Sequence, residues 1–410
     1  MEGKEGSVRW EGENAHKNIC ISIFFFTFPT FPTFQTFHTF LFQRNALQNA
    51  GLEEYTSRNT MTPVKKTAAV SKNPKDYCIA TIGSHSALQI LKGARDEGVP
   101  NLVICKRGTE RVYKSFGVAD DFLIVDDWSE WDKKIEPELL KRNAIIIPHG
   151  SFISYMGHEK VKTMKSMYYG TKEILEWESN RTMERKWLLD ADILMPRVFE
   201  KPEDIDCPVI VKFHGAGGGF GYFVVRSAEQ FYEVKNRKYP EENDFTIQEY
   251  IIGVPLYIHY FYSPITKELE IMSFDKRYES NADSIGRIKA EDQLAAKIHT
   301  SYTIVGNIPI VVRESMLPEF FAMGERVIAA SKKLCGKGLF GSFCLETIVT
   351  RKLQTFVFEI SARIVAGTNP FIEGSPYTAL KYDVPMSTGR RIARDIKQAI
   401  ESGRLKEILG

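Results

Sequence analysis

Residues 208–225 constrain this chain more than any others. Pro208-Val-Ile-Val-Lys212-Phe213 is an apolar run that takes in a lysine near its end. A glycine-rich stretch follows, Gly215-Ala-Gly-Gly-Gly-Phe-Gly221, and then a second apolar run, Tyr222-Phe-Val-Val225. The order reads strand, glycine loop, strand. A dinucleotide-binding fold or a P-loop needs a helix directly after its glycines. Here β-rich residues follow, and no Gly-Lys-Ser/Thr occurs. A nicotinamide oxidoreductase is disfavoured on that ground. The pattern fits a hairpin lid whose backbone N–H groups fold over phosphates while the lysine at its base neutralises them. Lys212, Gly215, Gly217, Gly218 and Gly219 are therefore candidate nucleotide contacts; the bland alternative is a surface hairpin.

With 410 residues the chain has room for two or three domains with proper cores. Its net charge of +2 comes from interspersed charges, so nothing points to a nucleic-acid or membrane partner. The cysteines form no C-x-x-C pair and mostly sit in apolar runs, as in Val103-Ile-Cys105, which reads as a reduced, cytoplasmic protein. The first 60 residues do not match the rest. Thr27–Leu41 repeats as TFP TFP TFQ TFH TFL, and 21–42 holds no charged residue. That stretch has the length of a membrane span but not its Leu/Ala/Val texture. A strict triplet repeat resembles a translated nucleotide repeat. Residues 1–60 are thus expected to be a non-native or disordered extension, with the natural start at Met61.

From residue 75 the chain alternates short apolar strands (77–82, 102–105, 122–125, 144–148) with helices such as 87–98. This predicts an α/β domain over 75–150 built on a parallel, Rossmann-like sheet. A helical linker is expected over 151–180. An α+β domain is expected over 181–410, with strands at 245–252, 256–262 and 268–274, a helix at 318–334, and a hairpin of 340–349 with 355–360.

Glu346 and Glu359 interrupt the two nearly continuous hydrophobic strands of that last hairpin. Buried carboxylates need a cation, and two on neighbouring strands suit Mg²⁺, which takes few carboxylates plus phosphate oxygens. Solvent-facing edge residues, or a salt bridge to Arg363, are the plain alternatives. Lys186 and Lys212 flank the first strand of the nucleotide region and fit phosphate clamps. Glu249 ends a strand leading into Ile251-Ile-Gly253, where an adenine or ribose edge could be met. In the first domain, Gly83-Ser-His85-Ser86 and Pro148-His-Gly-Ser151 both follow strands, where helix starts and open sheets attract anions. His85 and Ser151 are the candidate ligands. Arg277, in Asp275-Lys-Arg277-Tyr-Glu-Ser-Asn281, suits bidentate phosphate or carboxylate contact.

From about 75 to 410 the chain resembles the 5-formaminoimidazole-4-carboxamide ribonucleotide synthetase family of ATP-grasp ligases. The motifs that carry it are TIGSHSALQILKGA, IIPHGSF, VIVKFHGAGGGFGYF, EYIIG, IHYFYSP, DKRYESN, GNIPIVVRES and FEISARIVAGTN. The resemblance implies a pre-ATP-grasp domain followed by an ATP-grasp domain. It implies ATP- and formate-dependent formylation of 5-aminoimidazole-4-carboxamide ribonucleotide in archaeal-type purine (IMP) biosynthesis, by a homo-oligomer. Carried over by motif, His85, Ser151 and Asn281 would contact the ribonucleotide and Glu249 ATP, while Glu346 and Glu359 would hold Mg²⁺ or Mn²⁺. Ser361 stands where ATP-grasp enzymes often place Asn, and the glycine loop lacks the arginine some relatives carry. Another ATP-grasp carboxylate–amine ligase, or a non-catalytic nucleotide-binding paralogue, are the competing readings.

Overall fold

Three sheets carry the architecture, and each follows from the strand runs above. The computed structural model describes residues 71–410 apart from 218, 219, 242 and 299, with side chains described throughout except at 214–217 and 220. The expectation for residues 1–60 lies outside the described residues, as do Gly218 and Gly219. The described residues form one unit.

The first sheet contains β1 (Cys78–Ile82), β2 (Asn101–Lys106), β3 (Asp121–Val125), β4 (Ala144–Ile146) and β5 (Met167–Tyr168), all parallel, in the order β3-β2-β1-β4-β5. Every residue of β1 is buried, as a strand covered on both faces requires. The winding reverses between β1 and β4, and the crevice outside their carboxyl ends is where such sheets bind ligands. Gly83–Ser86 leaves β1 there, and Pro148–Ser151 leaves β4.

The second sheet is antiparallel: β6 (Val198–Phe199), β7 (Val209–Gly217), β8 (Phe220–Val225) and β9 (Phe245–Glu249), in the order β6-β9-β7-β8. β7 and β8 form the expected glycine hairpin. Lys212 pairs with Tyr222, Gly217 pairs with Phe220, and the register slips between those two pairs. Val209, Val211, Phe213, Phe223, Phe231 and Ile247 make its own small core.

The third sheet is antiparallel: β10 (Val254–Tyr262), β11 (Leu269–Glu279), β12 (Ile304–Ile310), β13 (Gly341–Val349) and β14 (Thr355–Ser361), in the order β12-β11-β10-β13-β14. Strand side chains alternate between faces. Ile258, Tyr260, Phe274 and Leu345 pack into a core with Trp187 and with Phe320 and Val327 of helix Leu317–Leu334. The opposite face carries Tyr257, His259, Asp275, Arg277 and Glu346.

Four features depart from the sequence expectation. The region 151–180 is not a plain helical linker. A helix runs from Gly150 to Thr163, and β5 then adds a fifth strand to the first sheet. Two residues are too few to show a period. β11 continues through Glu279, so Asp275 and Arg277 are strand residues, not a loop after one. β12 was not anticipated, because Gly306 and Pro309 break its pattern; as an edge strand it tolerates both. Finally, helix Thr388–Glu401 packs on helix Ala87–Asp96 beside the first sheet, so a distant segment completes that domain. Among the described residues, no helix is long and apolar enough to cross a membrane.

Candidate active site

At the β1/β4 crevice the two predicted motifs meet. Ser84 Oγ donates to Ser151 Oγ at 2.9 Å. The His85 ring stacks on His149, with centroids 5.4 Å apart and planes 3° from parallel. His149 is fully buried and caps helix Gly150–Thr163. Its Nδ1 accepts from the Phe152 N–H at 3.4 Å, so Nε2–H is the donor to the Ile82 carbonyl at 3.0 Å. Burial, opposed by that hydrogen bond and reinforced by the Arg363 charge, pushes His149 down to about 4. Desolvation, His149 and Arg363 likewise lower His85, which is an exposed residue. Both imidazoles are therefore neutral at pH 7. Ser151 lies in the first turn of a helix.

The second centre is built on β13 and β14. Glu346 and Glu359 are a direct cross-strand pair, with a bulge just beyond them. Glu346 is 3 % exposed, whereas Glu359 is open to solvent. Arg277 Nη2 donates to Glu346 Oε1 at 2.5 Å and stacks over the Tyr257 ring at 4.4 Å. Glu346 Oε2 is buried with no partner. Burial and the neighbouring Glu359 push the Glu346 carboxyl up to about 7, against the pull of Arg277 and Arg363. Two adjacent carboxylates, one with an orphaned oxygen, fit a divalent cation whose remaining ligands come from phosphate and water. Among the described residues no cluster of three or more His, Cys, Asp or Glu offers an all-protein site.

The second sheet brings a cation within reach of this pair. Lys212 Nζ donates to Gln248 Oε1 at 2.9 Å, and the Glu359 charge acts on it across the cleft. Desolvation and the charge of Arg181 lower the Lys212 ammonium. Arg181, at the start of helix Arg181–Asp190, is thus the second cation here, and sequence reasoning missed it. Lys186 of the same helix is exposed and pairs with Asp190 at 2.5 Å, so the structure does not bring it to Lys212. Glu249 ends β9 and accepts from the Arg197 backbone N–H at 3.2 Å. Gly215 and Gly217 lie in β7 toward the hairpin tip. Asn281 has φ 46° and caps helix Ala282–Ile285, and its Oδ1 accepts from the Ser301 N–H at 2.6 Å.

Two further carboxylates were not foreseen. Glu184 accepts from the Ile360 N–H at 2.7 Å. Burial, and then the Glu359, Glu178 and Glu346 charges, push it up to about 8 despite that bond. Glu178 accepts from the Ala362 N–H at 3.0 Å and pairs with Arg363 at 3.2 Å. Both pin the β14 end that carries Glu359. Arg363 acts on His85 and His149 as well as on Glu346 and Glu178, and its Nε is buried without a partner. The next residue, Ile364, bridges to His149, and Ser361, two residues before Arg363, pairs with Cys344 of β13, so Arg363 adjoins both centres.

A glycine hairpin and a sheet with paired carboxylates, set after a domain built on a parallel sheet, define the ATP-grasp architecture. Solved structures agree on that fold. The ADP complex of an N5-carboxyaminoimidazole ribonucleotide synthetase matches with TM-score 0.54 and 13% identity, over 79% of this chain and 77% of its own. An IMP biosynthesis protein, PurP, from Thermococcus kodakaraensis matches with TM-score 0.65 and 29% identity, over 81% of this chain and all of its own. Families described as a protein of unknown function (DUF1246) and a domain of unknown function (DUF1297) match residues 79–199 and 226–410. The 5-formaminoimidazole-4-carboxamide-1-(beta)-D-ribofuranosyl 5'-monophosphate synthetase of Pyrococcus horikoshii is 53% identical over 336 residues, 81% of this chain and 99% of its own. The chain belongs to that synthetase family, and it is an ATP-dependent ligase.

Proposed function

We propose that this protein formylates 5-aminoimidazole-4-carboxamide ribonucleotide, using ATP and formate. The observation that carries the reading is the placement of Arg363 beside both a neutral, hydroxyl- and imidazole-lined crevice and the Glu346/Glu359 pair. A small carboxylate anchored on Arg363 adjoins both the phosphate centre and the ribonucleotide crevice.

A formate oxygen attacks the γ-phosphorus; the bond to the β-phosphate oxygen breaks, and ADP leaves. The resulting formyl phosphate is attacked at carbon by the exocyclic amine. The C–N bond forms, the C–O bond breaks, and phosphate departs as the amine loses a proton. Such transfer is mostly positioning and electrostatics. Lys212 and Arg181 neutralise the triphosphate, and Glu249 meets the adenosine end. His85, Ser151 and Asn281 orient the ribonucleotide. Arg277 holds Glu346 in place. Glu346 and Glu359 would hold Mg²⁺ or Mn²⁺, which supplies charge neutralisation for phosphate oxygens. The β7–β8 hairpin shields the hydrolysable acyl phosphate from water.

The protein is proposed to work as a cytoplasmic homo-oligomer. The exposed β12 edge, with Val305 69% and the following Val311 68% exposed, supports a further copy pairing there. The deciding assay supplies ATP, Mg²⁺, formate and the ribonucleotide, and follows ADP and the formylated product. ADP release without product, or product with another acid only, would overturn the reading.

A further inference from the structure

Beside the metal pair, on the same face of the third sheet, lies a buried polar cluster that no step above uses. His259 and Asp275 are each 1 % exposed. His259 Nε2–H donates to Asp275 Oδ1 at 2.6 Å, and Asn307 Nδ2 donates to Asp275 Oδ2 at 2.7 Å. Both carboxylate oxygens are occupied, while His259 Nδ1 has no partner. Well-packed apolar side chains would fill this space at less cost in stability, so the cluster calls for another role. Gly367 lies directly against it. A Cβ there would sit 2.3 Å from Asp275 Oδ1 and 2.7 Å from His259 Cε1. One and two residues further on, Thr368 and Asn369 reach the loop and helix that follow β1. Gln89 Nε2 donates to Thr368 Oγ1 and to Asn369 Oδ1, both at 2.7 Å. Asn369 Nδ2 donates to the His85 carbonyl at 3.1 Å. His85 itself has φ 53°, an uncommon conformation for a non-glycine residue that persists where its surroundings hold it.

We infer that His259, Asp275 and Asn307 are positioning residues for the ribonucleotide crevice. They set where Gly367 crosses the sheet, and Asn369 thereby holds the His85 backbone in the left-handed conformation that aims its imidazole. Asp275 and Arg277 share one face of β11, and Arg277 holds Glu346. A single strand thus references the crevice and the metal pair to each other. The inference rests on the reading of His85 as a ribonucleotide contact.

Steady-state kinetics on the full chain, varying ATP and ribonucleotide separately, tests it. Asn369→Ala cuts the link without touching the core. It is expected to raise the ribonucleotide KM by about five- to tenfold and leave the ATP KM within about twofold. Gly367→Ala should do the same more strongly, and Asp275→Asn, which keeps the side chain's size but puts an NH2 where one of the two donors now bonds, should raise the ribonucleotide KM in the same selective way. An unchanged ribonucleotide KM in Asn369→Ala and Gly367→Ala, or an equal rise in both KM values, overturns the inference. His85→Ala is the control. If it shifts the ribonucleotide KM while Asn369→Ala does not, only the positioning role falls. If His85→Ala leaves that KM unchanged, the crevice assignment falls and takes this inference with it.

Discussion

One oxygen of Glu346 rests on Arg277 and the other on nothing, and that asymmetry gives the metal assignment its sharpest test. Its partner Glu359 should be indispensable for phosphate chemistry and irrelevant to the crevice. Glu359→Gln is expected to lower ADP formation by about 10²–10³-fold. Calorimetric titration should show ribonucleotide affinity near wild type; normal ADP formation in Mg²⁺ would remove the pair from the site. His85→Ala should weaken ribonucleotide binding by about 10- to 100-fold, the size of one hydrogen bond to a charged group. ATP affinity should hold, because Lys212 and Glu249 stand on the second sheet. Lys212, Glu346 and Glu359 were legible in the sequence because a charged residue inside an apolar strand has few innocent explanations. Arg181, Glu178 and Glu184 were not. They sit on helices where charge is ordinary, and nothing in the letters says which side of the helix meets the cleft. Lys186 shows the same blindness from the other direction: five residues from Arg181, it projects elsewhere and pairs with Asp190.

The hairpins were read well because strand, turn and strand are contiguous in sequence. Elements completed by distant partners were not. β5 is two residues long and exists only because β4 pairs with it. Helix Thr388–Glu401 has a strong apolar stripe, yet its destination, some 300 residues upstream, is not encoded locally. Where it meets helix Ala87–Asp96, the backbones touch. A Cβ on Gly389 would lie 2.3 Å from the Gln89 carbonyl oxygen, and one on Gly93 would lie 2.4 Å from the Arg390 nitrogen. Gly389→Ala must therefore push the helices apart. A loss of about 1–3 kcal/mol is expected by denaturant titration, with the ATP KM unchanged. A neutral effect would mean that the crossing is loose.

Across the whole molecule, the carboxylate cluster makes stability depend on pH. Burial and neighbouring carboxylates push Glu184 up to about 8 and Glu346 up to about 7, both above the ordinary 4.5. The native state then binds more protons than the unfolded chain, so this contribution is full below the unfolded value and fades as pH rises through the native ones. Without metal, the thermal midpoint should fall between about pH 6 and 8, and Glu184→Gln should flatten the slope while still accepting from Ile360. A pH-independent midpoint in the parent protein would contradict the cluster's electrostatics. The closure of the first sheet by the last long helix also has a consequence during synthesis. Helix Ala87–Asp96 emerges from the ribosome long before residue 388 is translated. At ~5–20 residues per second the interval is about 15–60 s. Throughout it, the side of that helix bearing Ile90, Gly93 and Ala94 lacks the cover that Ile392, Ala393 and Ile396 give it, so a nascent chain stalled before that last long helix leaves this face of its first sheet's outer helix open to chaperones and proteases.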